Sequence, residues 1–229
     1  VNVATDEKDR LWIYFGTGRF YNQRDADQKS KRSLFGIKEP INNNTSENTW
    51  DTVLASNLYP STDIEISNGT CVGKYTAQCV AIKRKNGTPL SWDTLVAEVQ
   101  AKDGWRQNFT PAWERVTDQA GILGDAVIFT TYTPSEQICD FGGSSNLWGL
   151  YYITGTPYYD PILGSSSSHL LFVTLGDGKA SRPSFIIKKD GTVDVPVQVG
   201  GKLVKPTIKP PNYQSLRSRS AFWRENILN

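Results

Sequence analysis

Few residues in this chain have the chemistry for catalysis or for holding a metal: three cysteines, one histidine and a set of aspartates at turns. His169 opens an apolar stretch directly after four serines, but no G-x-S-x-G nucleophile turn accompanies it; Gly143-Ser144-Ser145-Asn146 is not one. Zinc needs clustered His and Cys, and Cys71 and Cys79 have no His nearby. The C-x-x-C-H pattern of haem attachment is absent. Carboxylate pairs for glycoside hydrolysis can be drawn among Asp6, Asp9, Asp25, Asp27, Asp125, Asp140 and Asp177. Acidic residues also stand at turns for local hydrogen bonding alone, so no catalytic residue is assigned and the expectation is a protein that is not an enzyme. Asp25-Ala26-Asp27 has the alternate spacing of calcium ligands, but no third and fourth ligand follow, so Asp25 and Asp27 are weak candidates. Cys71 and Cys79 bracket Cys-Val-Gly-Lys-Tyr-Thr-Ala-Gln-Cys, a spacing that a hairpin or tight loop can bridge. Their pairing is expected, with reduced buried cysteines as the alternative; Cys139 is left over.

Any site must be positioned by a β-rich frame. Ala126 to Tyr132 and Leu147 to Thr154 are β-branched and aromatic runs joined by a Pro, Ser, Cys and Gly-rich loop, and they predict two strands with a long connection. Upstream, Arg10 to Tyr21 is an apolar strand entering a Gly-rich turn, and Ser33 to Pro40 answers it. Leu34, Phe35 and Gly36 align with Leu147, Trp148 and Gly149, an imperfect internal repeat. Repeats of this kind belong to β-propeller blades. The fold class expected is therefore all-β, a partial or irregular β-propeller of blade-like antiparallel sheets. The aromatics are packing positions and the two glycines are places of close approach. One helix is expected: Ser91 or Asp93 caps it, Trp92, Leu95, Val96 and Val99 share a face, and Gly104 ends it. It lies in a segment, 39–110, read as an insertion, whose first part is rich in Asn, Thr and Ser without periodicity. Further strands are expected from Thr76 to Arg84 and from His169 to Thr174. Ser184 to Lys188 and Val193 to Val199 predict a hairpin around Lys189-Asp190-Gly191-Thr192.

The 229 residues include 7 Trp, 10 Tyr and 9 Phe, enough for a packed β core in one domain, 1–229. No apolar run is long enough to span a membrane as a helix. The absence of Met predicts a portion of a longer protein. The formal charge of +2 hides an asymmetry, because acidic side chains outnumber basic ones before residue 179 and the reverse holds in the segment 179–229. Such a basic segment could hold nucleic acid, an anionic surface or an acidic partner, but the reading preferred is a solvated segment docked on an acidic face of the same molecule, and nucleic acid is not expected. If there is a contact surface, the long loops 22–31, 39–60 and 134–146 are the places for it.

A longer pattern runs through the second half. Trp92-Asp93-Thr94-Leu95-Val96, Lys102-Asp103-Gly104-Trp105, Glu114-Arg115-Val116, the run from Val127 to Pro134, Cys139, and Gly142 through Leu150 follow one another in an order and spacing that resemble the C-terminal propeller of the PilY family of type IV pilus biogenesis and tip adhesin proteins. Trp12 through Phe20, Leu34 to Ile37, Arg182-Pro183-Ser184 and the tail from Arg217 to Glu225 extend the resemblance over most of the chain. The resemblance implies an exported, non-enzymatic protein at the pilus tip, outside the cell. It would sit on minor pilins, be continuous with an N-terminal part of the same protein, promote fibre assembly and bind host or abiotic surfaces. It also implies a calcium site in an Asp/Asn-rich loop, but that loop pattern is not found in these residues, and no cofactor is otherwise evident. A propeller enzyme acting on polysaccharide and a periplasmic quinoprotein-like assembly scaffold are the alternatives.

Overall fold

The computed structural model describes residues 1–21, 25, 30–42, 49–68, 77–110, 113–135, 142–164 and 169–212. Three short strands open the chain: β1 (Asn2–Thr5), β2 (Leu11–Gly16) and β3 (Ser33–Lys38). They pair antiparallel, Gly104–Asn108 adds antiparallel to β3, and Tyr59–Pro60 closes the row in parallel with Gly104–Asn108. Strand alternation sorts this sheet. Trp12, Tyr14, Leu34 and Trp105 are fully buried on one face. Phe15, Phe35 and Arg106 take the other, which is only half buried.

The central hairpin pairs Ala126–Pro134 with Gly143–Tyr151 through nine residues on each side. Phe172–Asp177 continues the sheet on one edge, and Arg115–Val116 and Gly121–Leu123 pair with the other. This sheet is a middle layer. Val127, Phe129, Trp148 and Leu150 join the core of the first sheet, whereas Ala126, Ile128 and Leu147 join a second core with Ile162, Leu163, Val193, Val195, Val197 and Ile208. A strand covered on both faces has no polar side to present, which is why the run from Ala126 to Phe129 shows no polar alternation. The second strand of the hairpin stops at Tyr151 and turns at Gly155 (φ 65°), short of the expected Thr154.

Helix α1 (Trp92–Gln100) starts at Ser91, whose Oγ accepts from Thr94 N at 3.0 Å. Trp92, Leu95 and Val99 are buried in the first core. Arg84 ties the small antiparallel sheet of Ile64–Asn68, Val80–Arg84 and Pro89–Leu90 to the helix through both oxygens of Glu98, at 2.6 and 2.7 Å. Described residues of the segment 39–110, expected as an insertion, take part in the first sheet and its core. They supply two strands of the first sheet and the helix that covers it, because Trp105 and Leu95 bury the face that Trp12 and Tyr14 offer. Phe172–Asp177 forms three residues beyond the expected His169 start.

The expected hairpin around Lys189 is present in a shorter form. Ile186–Ile187 pairs with Val193–Asp194, and Val197–Val199 leaves it to pair with Lys202–Val204. Among the described residues the chain is mostly β, with one α-helix and separate sheets, none of them closed.

Candidate surface site

The outer face of the first sheet carries the most chemically distinctive group of side chains. Antiparallel register places Ser33 opposite Asn108 and Phe35 opposite Arg106, all pointing away from the Trp105 side. Phe35 stacks on Phe15 with ring centroids 5.2 Å apart. Where β2 ends, Thr17 N donates to Ser33 O at 2.9 Å and Ser33 N donates to Thr17 Oγ1 at 2.9 Å, fixing the mouth of the hairpin. A cavity of about 640 Å³ opens there, walled by Arg19, Lys31, Arg32 and Arg106 together with Thr17, Ser33, Phe35 and Asn108.

A knot of charge anchors one wall. Asp25 accepts from Arg19 Nε and from Tyr21 N, each at 2.9 Å. Arg115, fully buried, donates from Nη1 to Arg19 O at 2.8 Å and to Asp25 O at 2.7 Å, and its guanidinium lies 5.6 Å from the Phe20 ring centroid. Burial pulls the Arg115 pKa below its ordinary value, the nearby Arg32 adds to that pull, and Asp25 opposes it. Burial likewise lowers Arg32, with Asp25 opposing. Arg115 belongs to the edge of the middle sheet, and Val116 N donates to Thr17 O at 3.2 Å, so this wall is built where the two large sheets meet.

The residues singled out in the sequence are dispersed. Asp25 has both carboxylate oxygens occupied by Arg19 and Tyr21, and Asp27 lies outside the described residues. Cys79 is buried and disulfide-bonded, while Cys71 and Cys139 lie outside the described residues. Leu34 and Gly36 face the first core and Phe35 the outer side; Leu147 and Trp148 enter opposite cores. A Cβ on Gly36 would meet the Trp105 ring at 2.4 Å, and one on Gly149 would meet Leu163 Cγ at 2.9 Å. His169 Nε2 stands 3.0 Å from Tyr159 O. Asp6 anchors a turn through bonds from Lys8, Arg10 and Trp12. Of the loops offered as contact surfaces, 22–31 borders the basic cavity at Ser30 and Lys31. The 134–146 loop borders a smaller cavity of about 360 Å³ with Asp177 on its wall.

Among the described residues no three His, Cys, Asp or Glu side chains gather as a metal would need, and no helix is long and apolar enough to cross a membrane. Sequence reasoning missed two groups. The basic cavity draws on Arg19, Lys31 and Arg106, which only register brings together. The other is Glu114, fully buried, whose Oε1 accepts from Thr131 Oγ1 at 2.5 Å, Asn146 Nδ2 at 3.1 Å and Trp148 Nε1 at 3.0 Å.

No family model matches the chain. It is 24% identical to a type IV pilus biogenesis factor PilY1 homolog of Xylella fastidiosa over 94% of its own length, and 24% identical to PilY1 of Pseudomonas aeruginosa strain PAO1 over 70%. The crystal structure of the Pseudomonas aeruginosa PilY1 C-terminal domain superposes with a TM-score of 0.56 at 14% identity, covering 91% of this chain and 44% of that one. The chain is thus similar in sequence to PilY1 proteins and in fold to a PilY1 C-terminal domain. The chain spans 16% and 13% of the length of those two curated relatives. Within the PilY comparison, the middle sheet includes the segments whose order and spacing carried the resemblance: Glu114-Arg115-Val116, Val127 to Pro134, and Gly142 to Leu150.

Proposed function

We propose that this chain is a non-enzymatic module of a type IV pilus biogenesis factor, promoting pilus assembly and surface adhesion from the pilus tip. In this reading its sheets are the blades of an irregular propeller. Minor pilins and the remaining part of the same protein are its partners, and it works outside the cell. The observation that carries the reading is the similarity to PilY1 proteins along nearly the whole chain, matched by the fold of a PilY1 C-terminal domain. Three features fit a scaffold that presents surfaces. The Leu-aromatic-Gly strands serve packing, the buried carboxylates Asp6, Asp25 and Glu114 hold structural hydrogen bonds, and a disulfide at Cys79 suits an oxidising compartment.

Deleting the coding region for this chain, followed by counting surface pili in electron micrographs, tests it. Pili are expected to disappear in a retraction-competent strain and to return when retraction is blocked. Unchanged number and length in the retraction-competent strain would refute the assembly role.

A further inference from the structure

Among the described residues, the wall of the cavity on the outer face of the first sheet has four cations, Arg19, Lys31, Arg32 and Arg106, and no carboxylate. The neighbouring Asp25 already accepts from Arg19 and Tyr21, and behind it stands another cation, the fully buried Arg115. Arg106 Nε is buried without a hydrogen-bond partner. Ser33 Oγ donates to Asn108 Oδ1 at 2.7 Å, so Asn108 keeps its amide protons for another acceptor. Guanidinium forks match the paired oxygens of carboxylate and sulfate groups. Phe35, stacked on Phe15, offers a flat apolar patch beside these donors, the mixture that fixes small polar ligands in concave sites.

We propose that this cavity binds an anionic saccharide, a sugar unit carrying a carboxylate or a sulfate. Arg106 and Arg32 meet the anion, Asn108 donates to a hydroxyl, and the Phe35 ring lies under the sugar face. A nucleic acid would want an extended basic track, and an acidic peptide would want an apolar groove for its side chains; a compact polar cavity with one aromatic wall offers neither. The proposal names a ligand for the adhesive role above and rests on that reading only for its biological setting. Binding and pilus number are measured separately, so either can fail alone.

The test is calorimetric titration of the full-length protein with three probes: a galacturonate trisaccharide, a sulfated heparin disaccharide and a neutral galactose trisaccharide. At least one charged probe is expected to bind, more weakly as salt is raised, and the neutral one is not. The two charged probes tell a carboxylate source from a sulfate source. Arg106→Gln and Lys31→Ala are each expected to weaken binding tenfold or more, while Lys202→Ala, at an exposed cation elsewhere, leaves it unchanged. Lys31 is itself exposed, so its variant keeps the fold and isolates the charge. Failure of both charged probes, equal binding of the neutral one, or equal effects of Lys202→Ala and Lys31→Ala would overturn the site.

Discussion

Asp6 shows how a residue with catalytic potential in the sequence becomes a structural anchor. Its side chain is 2% exposed and receives Trp12 Nε1 at 3.0 Å, Arg10 Nε at 2.9 Å and the Lys8 and Arg10 backbone amides. Burial by itself raises the carboxyl pKa, but these donors outweigh it and bring the value from 3.8 to about 2. The folded value lies below the unfolded one, so the stabilisation is complete above about pH 4 and is lost as pH falls toward 2. It amounts to something on the order of 2 kcal/mol at neutral pH. Asp6→Asn should lower the unfolding free energy by that order and flatten the acid limb, as read from urea melts at pH 7, 4 and 3. An acid limb identical to that of the wild type would show that Asp6 does not carry it. Composition and turn chemistry made Asp6 legible as a turn residue; its burial beside Trp12 was not, because that requires the first strand pair to pack.

At the scale of elements, Trp105 is the joint between the two large sheets. Its ring sits against Gly36 of the neighbouring strand and Gly155 of the turn that ends the central hairpin, where added Cβ atoms would come within 2.4 and 2.2 Å of it. Its Nε1 donates to Tyr152 O at 2.8 Å, the same carbonyl that accepts from Tyr14 Oη at 3.2 Å. Gly36→Ala should therefore cost about 1–3 kcal/mol by overpacking, read as a shift of the urea midpoint. Retention of wild-type stability would mean that Trp105 can retreat. Gly36 was readable from the Leu-aromatic-Gly pattern, but its partner was not, and Gly155 lies outside that pattern. Trp105 lies 69 residues from Gly36 and 50 from Gly155; β register brings it beside the first, and packing of the two sheets brings it against the second. Helix α1 was readable in its cap and periodicity, which are local signals, but not in its stop: it ends at Gln100, and Gly104, expected to end it, opens the next strand.

For the whole molecule the decisive fact is layering. The middle sheet separates two cores, one shared with the first sheet and α1, the other with the small sheets after residue 185. The buried, disulfide-bonded Cys79 stands directly before the strand that begins at Val80. Peptide mapping under non-reducing conditions is expected to find it linked to Cys71, and reduction to cost about 2–4 kcal/mol; a Cys79–Cys139 peptide would overturn that pairing. What the sequence by itself determined is what local chemistry encodes: strand-forming runs, turn residues, the capped helix, the scarcity of catalytic side chains, and an ordered set of motifs that resembles those of PilY proteins. Only the tertiary structure decided that Tyr59–Pro60 and Gly104–Asn108 join the first sheet, that the central hairpin is covered on both faces, and that Arg19, Lys31, Arg32 and Arg106 line one cavity. The reason is physical: propensity and periodicity act over a few residues, whereas strand register and burial are fixed by contacts between residues far apart in the chain, whose energies no local segment contains.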